Sequence, residues 1–270
     1  MSDERVVLHA RELESSGRQG RIFGPIDLDV HARQLCMVHG PLGSGKSALL
    51  LALTGRFRPL SGLLTIDGVD AIHDPPEAMQ MTSVAQLGDY VRPEDRLTLA
   101  ESITERCFLD GFPRRLAADR VAAMEETVGF RIEKHVELES LTPIEKAISS
   151  VALAMIRPSR VVVIDDADMT VPHSQQSLLF ALLERLTTLD DSVIVASVVD
   201  DDLIPATAIS LSLRSDRPQV VEPLGSEPVP ISLAQAALAP LTARGRPAGA
   251  AMGDDQVAAP SPTQTPNPDK

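Results

Sequence analysis

The residues best suited to chemistry are 40–47, Gly40-Pro41-Leu42-Gly43-Ser44-Gly45-Lys46-Ser47. They fit G-x-x-x-x-G-K-[ST] at every fixed position. Glycines at those places let the backbone turn tightly enough for successive N–H groups to converge on phosphate oxygens. Lys46 would reach the outer phosphates of a nucleoside triphosphate, and the Ser47 hydroxyl would ligate magnesium. A helix opening at Lys46 would add the partial positive charge of its N-terminus. The expected ligand is ATP or a close nucleoside triphosphate, with Mg2+.

A second candidate is the string Arg160-Val161-Val162-Val163-Ile164-Asp165-Asp166. Four apolar residues read as a buried parallel strand. The two carboxylates fall at its C-terminal end, where ligands bind in α/β sheets. A ligand-binding role competes with a plain solvated acidic turn, because Asp168 is close by; the apolar strand favours the binding role.

The elements that must position these residues are legible as alternating short apolar runs. Strands are expected at 6–8, 26–30, 35–38, 63–66, 82–85, 161–164, 193–196 and 209–213. Helices are expected at 46–55, ending on Gly55 as a left-handed cap, and at 174–189. From 94 to 156 the apolar spacing is helical (Leu99, Ile103, Phe108; Leu116, Val121, Met124) with no strand pattern, which predicts a helical insert in an α/β core.

Composition bounds the rest. The chain has 270 residues, 43% of them hydrophobic but only 3% aromatic, with no Trp and a single Tyr. The core must therefore be aliphatic. A net charge of −13 argues against nucleic acid as a partner, since phosphate-backbone binding needs a basic surface. Cys36 and Cys107 lack the spacing of a metal site or disulfide framework, and Cys36 lies in an apolar run. The charged N-terminus predicts no secretory leader, and no window approaches the roughly 20 apolar residues of a membrane span. A cytoplasmic protein is expected, meeting a membrane only through partners. Residues 225–270 are rich in Pro, Ala and Gly without aromatics, which predicts a disordered tail with at most a short helix at 233–238.

Several phosphate-loop families share the first motif. A GTPase would carry an N-K-x-D string, and none is present; a phosphate-loop kinase stays open. Over roughly residues 6–213 the chain resembles the nucleotide-binding domain of ABC transporters. GPLGSGKSALLLALTGRFRPLSGLLTIDG is similar to that family's Walker A region and its continuation. Gln86, ending TSVAQ, sits where the family has its Q-loop, and LTLAESI resembles the helix start that follows. Residues 160–166 resemble the Walker B strand.

The resemblance implies an α/β P-loop NTPase fold of ABC ATPase type, with an antiparallel β subdomain and a helical subdomain over about 94–158, all within residues 1–224. It implies that Ser47, Gln86 and Asp165 serve the magnesium. It also implies that Asp166, with Gln86, stands where the attacking water is polarised.

Four positions depart from the family pattern. Where the LSGGQ signature should begin, the sequence reads Leu141-Thr142-Pro143-Ile144-Glu145, better read as a helix cap: Thr142 as N-cap, Pro143 at the first helical position and Glu145 closing a capping box. Asp166 stands where the family has a glutamate, one methylene shorter, which predicts slow turnover because geometry comes before pKa in such chemistry. No histidine lies in residues 195–200, where the switch histidine follows the next strand. Ser197 would donate a hydrogen bond there without taking the same charge, and His173, a candidate stand-in just after Walker B, is better read as an exposed loop histidine. The adenine-stacking aromatic should lie near Ser16 and Gly17, and neither is aromatic, so selectivity between ATP and GTP stays open. His9, His31 and His39 show no metal-ligand spacing.

The implied function is the ATP-binding subunit of an ABC-type transport system. It would act on integral membrane permease subunits, as a homodimer or a heterodimer with another ATPase subunit, and binding would outlast hydrolysis. The alternative is an ATP-dependent regulatory or scaffold protein of the same fold with little or no hydrolysis.

Overall fold

A computed structural model describes residues 5–18, 20–88 and 90–213 and the strand 219–221. The expected tail and the short helix at 233–238 lie outside the described residues. In chain order the elements are β1 (Val6–Gly17), β2 (Gly20–His31), β3 (Leu35–His39), α1 (Lys46–Ala52), β4 (Ser61–Ile66), β5 (Val69–Asp70), α2 (Pro75–Gln80) and β6 (Thr82–Gln86). There follow α3 (Leu99–Asp110), α4 (Arg114–Val128), α5 (Pro143–Ala154), β7 (Val161–Ile164), α6 (His173–Leu186), β8 (Val193–Val198), β9 (Ile209–Ser212) and β10 (Gln219–Val221).

The strands form two sheets. The first is antiparallel, in the order β2-β1-β4-β5. The second runs β10-β9-β3-β8-β7-β6 and is parallel except for β10. Alternation along its strands sends successive side chains to opposite faces. On one face Cys36, Val38, Val161, Val163, Val193 and Val195 pack with Leu49, Leu50 and Leu53 and with the antiparallel sheet. On the other, Leu35, Met37, Val162, Ile164, Ile194 and Ala196 pack with α5, α6 and the inner sides of α3 and α4. With both faces covered, the central strands are continuous apolar runs. Cys36 is fully buried, and burial pushes its thiol up to about 12, so it serves as a small core residue.

The helical insert forms as expected, as α3, α4 and α5. The expected strand at 6–8 extends to Gly17, and the one at 26–30 begins at Gly20. Their length is masked in the sequence by irregular register. The pairing of β1 with β2 shifts between Ala10 and Leu13, and Glu12 adopts φ 46°. An extra residue there moves the buried set from Leu8 and Ala10 to Leu13 and Ser15, breaking the period of two that a strand reading relies on. Helix α1 stops at Ala52, short of the expected Gly55. Gly55 does adopt φ 74°, in the turn beyond the helix. The long C-terminal helix covers His173–Leu186 instead of 174–189.

Candidate functional site

The four parallel strands β3, β8, β7 and β6 end side by side, so Gly40, Ser197, Asp165 and Gln86 meet at one carboxyl edge of the sheet. The loop 40–47 leaves β3 at this edge and delivers Lys46 and Ser47 to the start of α1. Gly43 adopts φ 81° and Gly45 φ 93°, a left-handed conformation costly for other residues. A Cβ at Gly45 would stand 2.2 Å from the carbonyl oxygen of Ile22, so the β2 backbone leaves no room for a side chain there. Gly45 is therefore required twice, by its torsion and by the antiparallel sheet pressed against it.

Lys46 is buried, and its Nζ donates to the carbonyls of Gly40 at 2.8 Å and Pro41 at 3.3 Å, which fixes the ammonium against the loop backbone. Ser47 is exposed beside it, and the Ser44 hydroxyl is enclosed within the loop without a protein partner. Pro41, Leu42 and Gly43 are exposed along the outer rim of the loop.

Asp165 is 2% exposed. Its backbone N–H donates to the carbonyl of Gln86 at 3.0 Å, and its Oδ1 accepts a hydrogen bond from the Ser197 hydroxyl at 2.5 Å. Asp166 follows at φ 47°, half-buried. Burial first, and then the neighbouring Asp165 carboxylate, hold Asp166 above the ordinary carboxylate range, and the Lys46 ammonium opposes them. Gln86 and Asp166 line one side of a cleft of about 580 Å³, and Leu141, Pro143 and Lys146 line the other. The expected site residues thus converge: the loop, Gln86, Asp165 and Asp166 share one sheet edge. A close-turning loop with a fixed ammonium fits a polyphosphate. At the same edge, the exposed Ser47 hydroxyl and the buried Asp165 carboxylate are oxygen donors of the kind a hard divalent cation takes.

At the opposite wall of the cleft the capping box forms as expected. Thr142 is the N-cap of α5, Pro143 opens the helix, and the Glu145 carboxylate accepts from the Thr142 N–H at 2.9 Å and from its hydroxyl at 2.7 Å. The reading of His173 needs correcting. It is the first residue of α6, not a loop residue, and its Nε2 lies 3.0 Å from Asp202. The reading of Ser197 is sharpened: its hydroxyl is turned onto Asp165. Two further features of the site had no signal in the sequence. They are the approach of Ile22 to Gly45 and the grouping of Lys146 and Arg92 around the cleft. Both depend on elements distant along the chain. Among the described residues no cluster of His, Cys, Asp and Glu could hold a metal by those side chains alone, and no helix is long and apolar enough to cross a membrane.

Comparison with known proteins gives a consistent set of relatives. The family model described as "ABC transporter" matches residues 23–169. The arabinose import ATP-binding protein AraG 1 of Burkholderia lata is 25% identical over 190 residues, 68% of this chain and 37% of that protein. The arabinose import ATP-binding protein AraG of Burkholderia pseudomallei is 28% identical over 178 residues, 62% of this chain and 34% of that protein. The chain spans about a third of the length of these curated relatives. Among solved structures, cbiO1 of Clostridium perfringens, part of an ABC transporter complex, superposes with a TM-score of 0.68 at 16% identity, over 82% of this chain and 90% of that one. An ATP-binding cassette of an ABC transporter in its ADP conformation gives a TM-score of 0.63 at 14% identity, over 79% and 89% of the two chains. At those identities the likeness is one of fold.

Proposed function

The chain belongs to the ABC transporter family, and on that premise we propose that it is the ATP-binding subunit of an ABC-type transport system. It binds MgATP, hydrolyses it slowly, and drives or gates separate integral membrane permease subunits from the inner face of the cell membrane. The observation that carries this reading is the convergence of loop 40–47, Gln86, Asp165 and Asp166 on one sheet edge. In this reading the backbone of Gly40, Pro41, Leu42, Gly43, Ser44 and Gly45 wraps the phosphates and Lys46 neutralises their charge. Ser47, Gln86 and Asp165 hold the magnesium, and Asp166 with Gln86 orients the attacking water. Residues 1–224 make up the nucleotide-binding domain, with a helical subdomain over about 94–158, and 225–270 a Pro- and Ala-rich tail.

Slow hydrolysis is supported from both walls of the cleft. Asp166 is a short carboxylate in a left-handed turn, set back from where a glutamate would reach. The N-terminus of α5 is already capped from within. The Thr142 hydroxyl and N–H are both engaged by Glu145, and Pro143 has no N–H to give. Such a surface clamps a partner's γ-phosphate poorly, whether the partner is a second copy or another ATPase subunit. The same observation favours the second reading, a regulatory or scaffold protein that uses ATP as a conformational ligand. Affinity capture of the tagged chain from solubilised membranes separates the two. Transport predicts integral membrane subunits in the complex at near-equal stoichiometry, and their absence leaves the regulatory reading.

A further inference from the structure

Ser197 is the one polar residue of β8 and is fully buried. Burying a hydroxyl costs free energy unless its hydrogen bonds are made, and this residue makes three bonds onto three consecutive residues of the neighbouring strand's exit. Its Oγ donates to Asp165 Oδ1 at 2.5 Å and accepts from the Asp166 N–H at 2.8 Å, while its carbonyl accepts from the Ala167 N–H at 2.9 Å. The ladder between β7 and β8 ends at Ile164 opposite Ala196. Beyond that point the path of Asp165, Asp166 and Ala167 is held to β8 by Ser197. The hold matters most at Asp166, whose φ of 47° is unfavourable for a residue with a side chain.

We infer that Ser197 is the positioning residue of the Asp165–Asp166 pair: its hydroxyl fixes one Asp165 oxygen and the Asp166 turn, leaving the second Asp165 oxygen for the magnesium shell. This rests on the reading of Asp165 as a magnesium residue. Groups that orient a metal ligand from behind typically change metal affinity about 10- to 100-fold when removed. Loss of the Ser197 hydroxyl frees Asp165 to rotate, so it weakens binding that depends on magnesium and spares binding that does not. A purely structural serine would lower both together or neither.

The test compares dissociation constants for ATP with excess Mg2+ and for ATP with EDTA, by equilibrium titration of the full chain. In the parent the ratio of the two measures what magnesium adds. Ser197→Ala is expected to cut that ratio about tenfold while metal-free affinity stays within about twofold, and Asp165→Asn should show the same loss. Ser197→Thr, which keeps the hydroxyl on a strand, restores the ratio. A parent-like ratio in a Ser197→Ala protein that melts like the parent overturns the inference. If Ser197→Ala does not fold, Ser197→Cys takes its place with the same expectation. Failure of both to fold would also overturn it, because that is the behaviour of a fold-bearing residue. A parent with no magnesium dependence would instead refute the magnesium site itself, a separate outcome.

Discussion

At the scale of single residues, the proposed triphosphate binding turns on Lys46. Its ammonium is buried against the loop backbone, and its charge reaches as far as Asp166. Hydrogen bonds involving a charged group contribute about 1.5–3 kcal/mol. Lys46→Ala should therefore weaken nucleotide binding roughly 10- to 100-fold, read by isothermal titration with MgATP, and parent-like affinity would remove the loop from the site. Lys46 and its loop were legible because their residues are contiguous and each type has a local reason to be there. Asp165 and Asp166 were legible because an apolar strand points to them. The grip of Ser197 on Asp165 was not, because nothing in the sequence near 197 says that β8 lies beside β7.

Two elements carry predictions of their own. Helix α5 is started by the reciprocal bonds of Thr142 and Glu145. Removing an N-cap side chain costs about 0.5–2 kcal/mol, so Thr142→Ala should lower the midpoint of urea denaturation accordingly. An unchanged midpoint would mean that packing alone holds the helix. In the antiparallel sheet, Asp29 on β2 faces His9 and Arg11 on β1.

The hydrogen bond from Arg11 first, opposed by partial burial and reinforced by His9, holds the Asp29 carboxyl below its usual range. A carboxyl depressed on folding contributes stability that is full above its unfolded value and is lost as pH falls toward its folded one. Asp29→Asn should therefore destabilise at pH 7, by about 0.5–1 kcal/mol for a pair so open to solvent. The deficit should vanish as acid protonates the parent. Thermal melts from pH 7 down to about pH 2 check this, and a deficit that grows toward acid would reverse the argument. The hairpin that carries this pair was underestimated from sequence. A bulge at Glu12 changes the phase of burial in mid-strand, and a pattern reading with a fixed period stops there.

At the scale of the molecule, the site is shared between the two sheets and the helical part. The antiparallel sheet closes on Gly45 through Ile22, and α5 faces Gln86 and Asp166 across the cleft. Nucleotide bound there should stabilise the folded chain by mass action, by about 2.7 kcal/mol at a hundredfold excess over its dissociation constant. For a chain of this size each kcal/mol raises the melting temperature about 2–4 °C, so MgATP should add roughly 5–10 °C. With slow turnover the shift from ATP should match that from a non-hydrolysable analogue after prolonged incubation. A shift that decays as ATP is consumed would show efficient hydrolysis.

By itself the sequence determined the phosphate loop, the run of strands around it, the helical insert and the cap at Thr142. All of these are written in residues near one another along the chain, where spacing and local chemistry suffice. Only the tertiary structure decided that β7 and β8 lie side by side, so that a serine in one holds the Asp165 carboxylate and the Asp166 N–H at the end of the other. It alone placed the β2 backbone where Gly45 leaves it room, because such neighbours are chosen by packing across the sheet and not by distance along the chain.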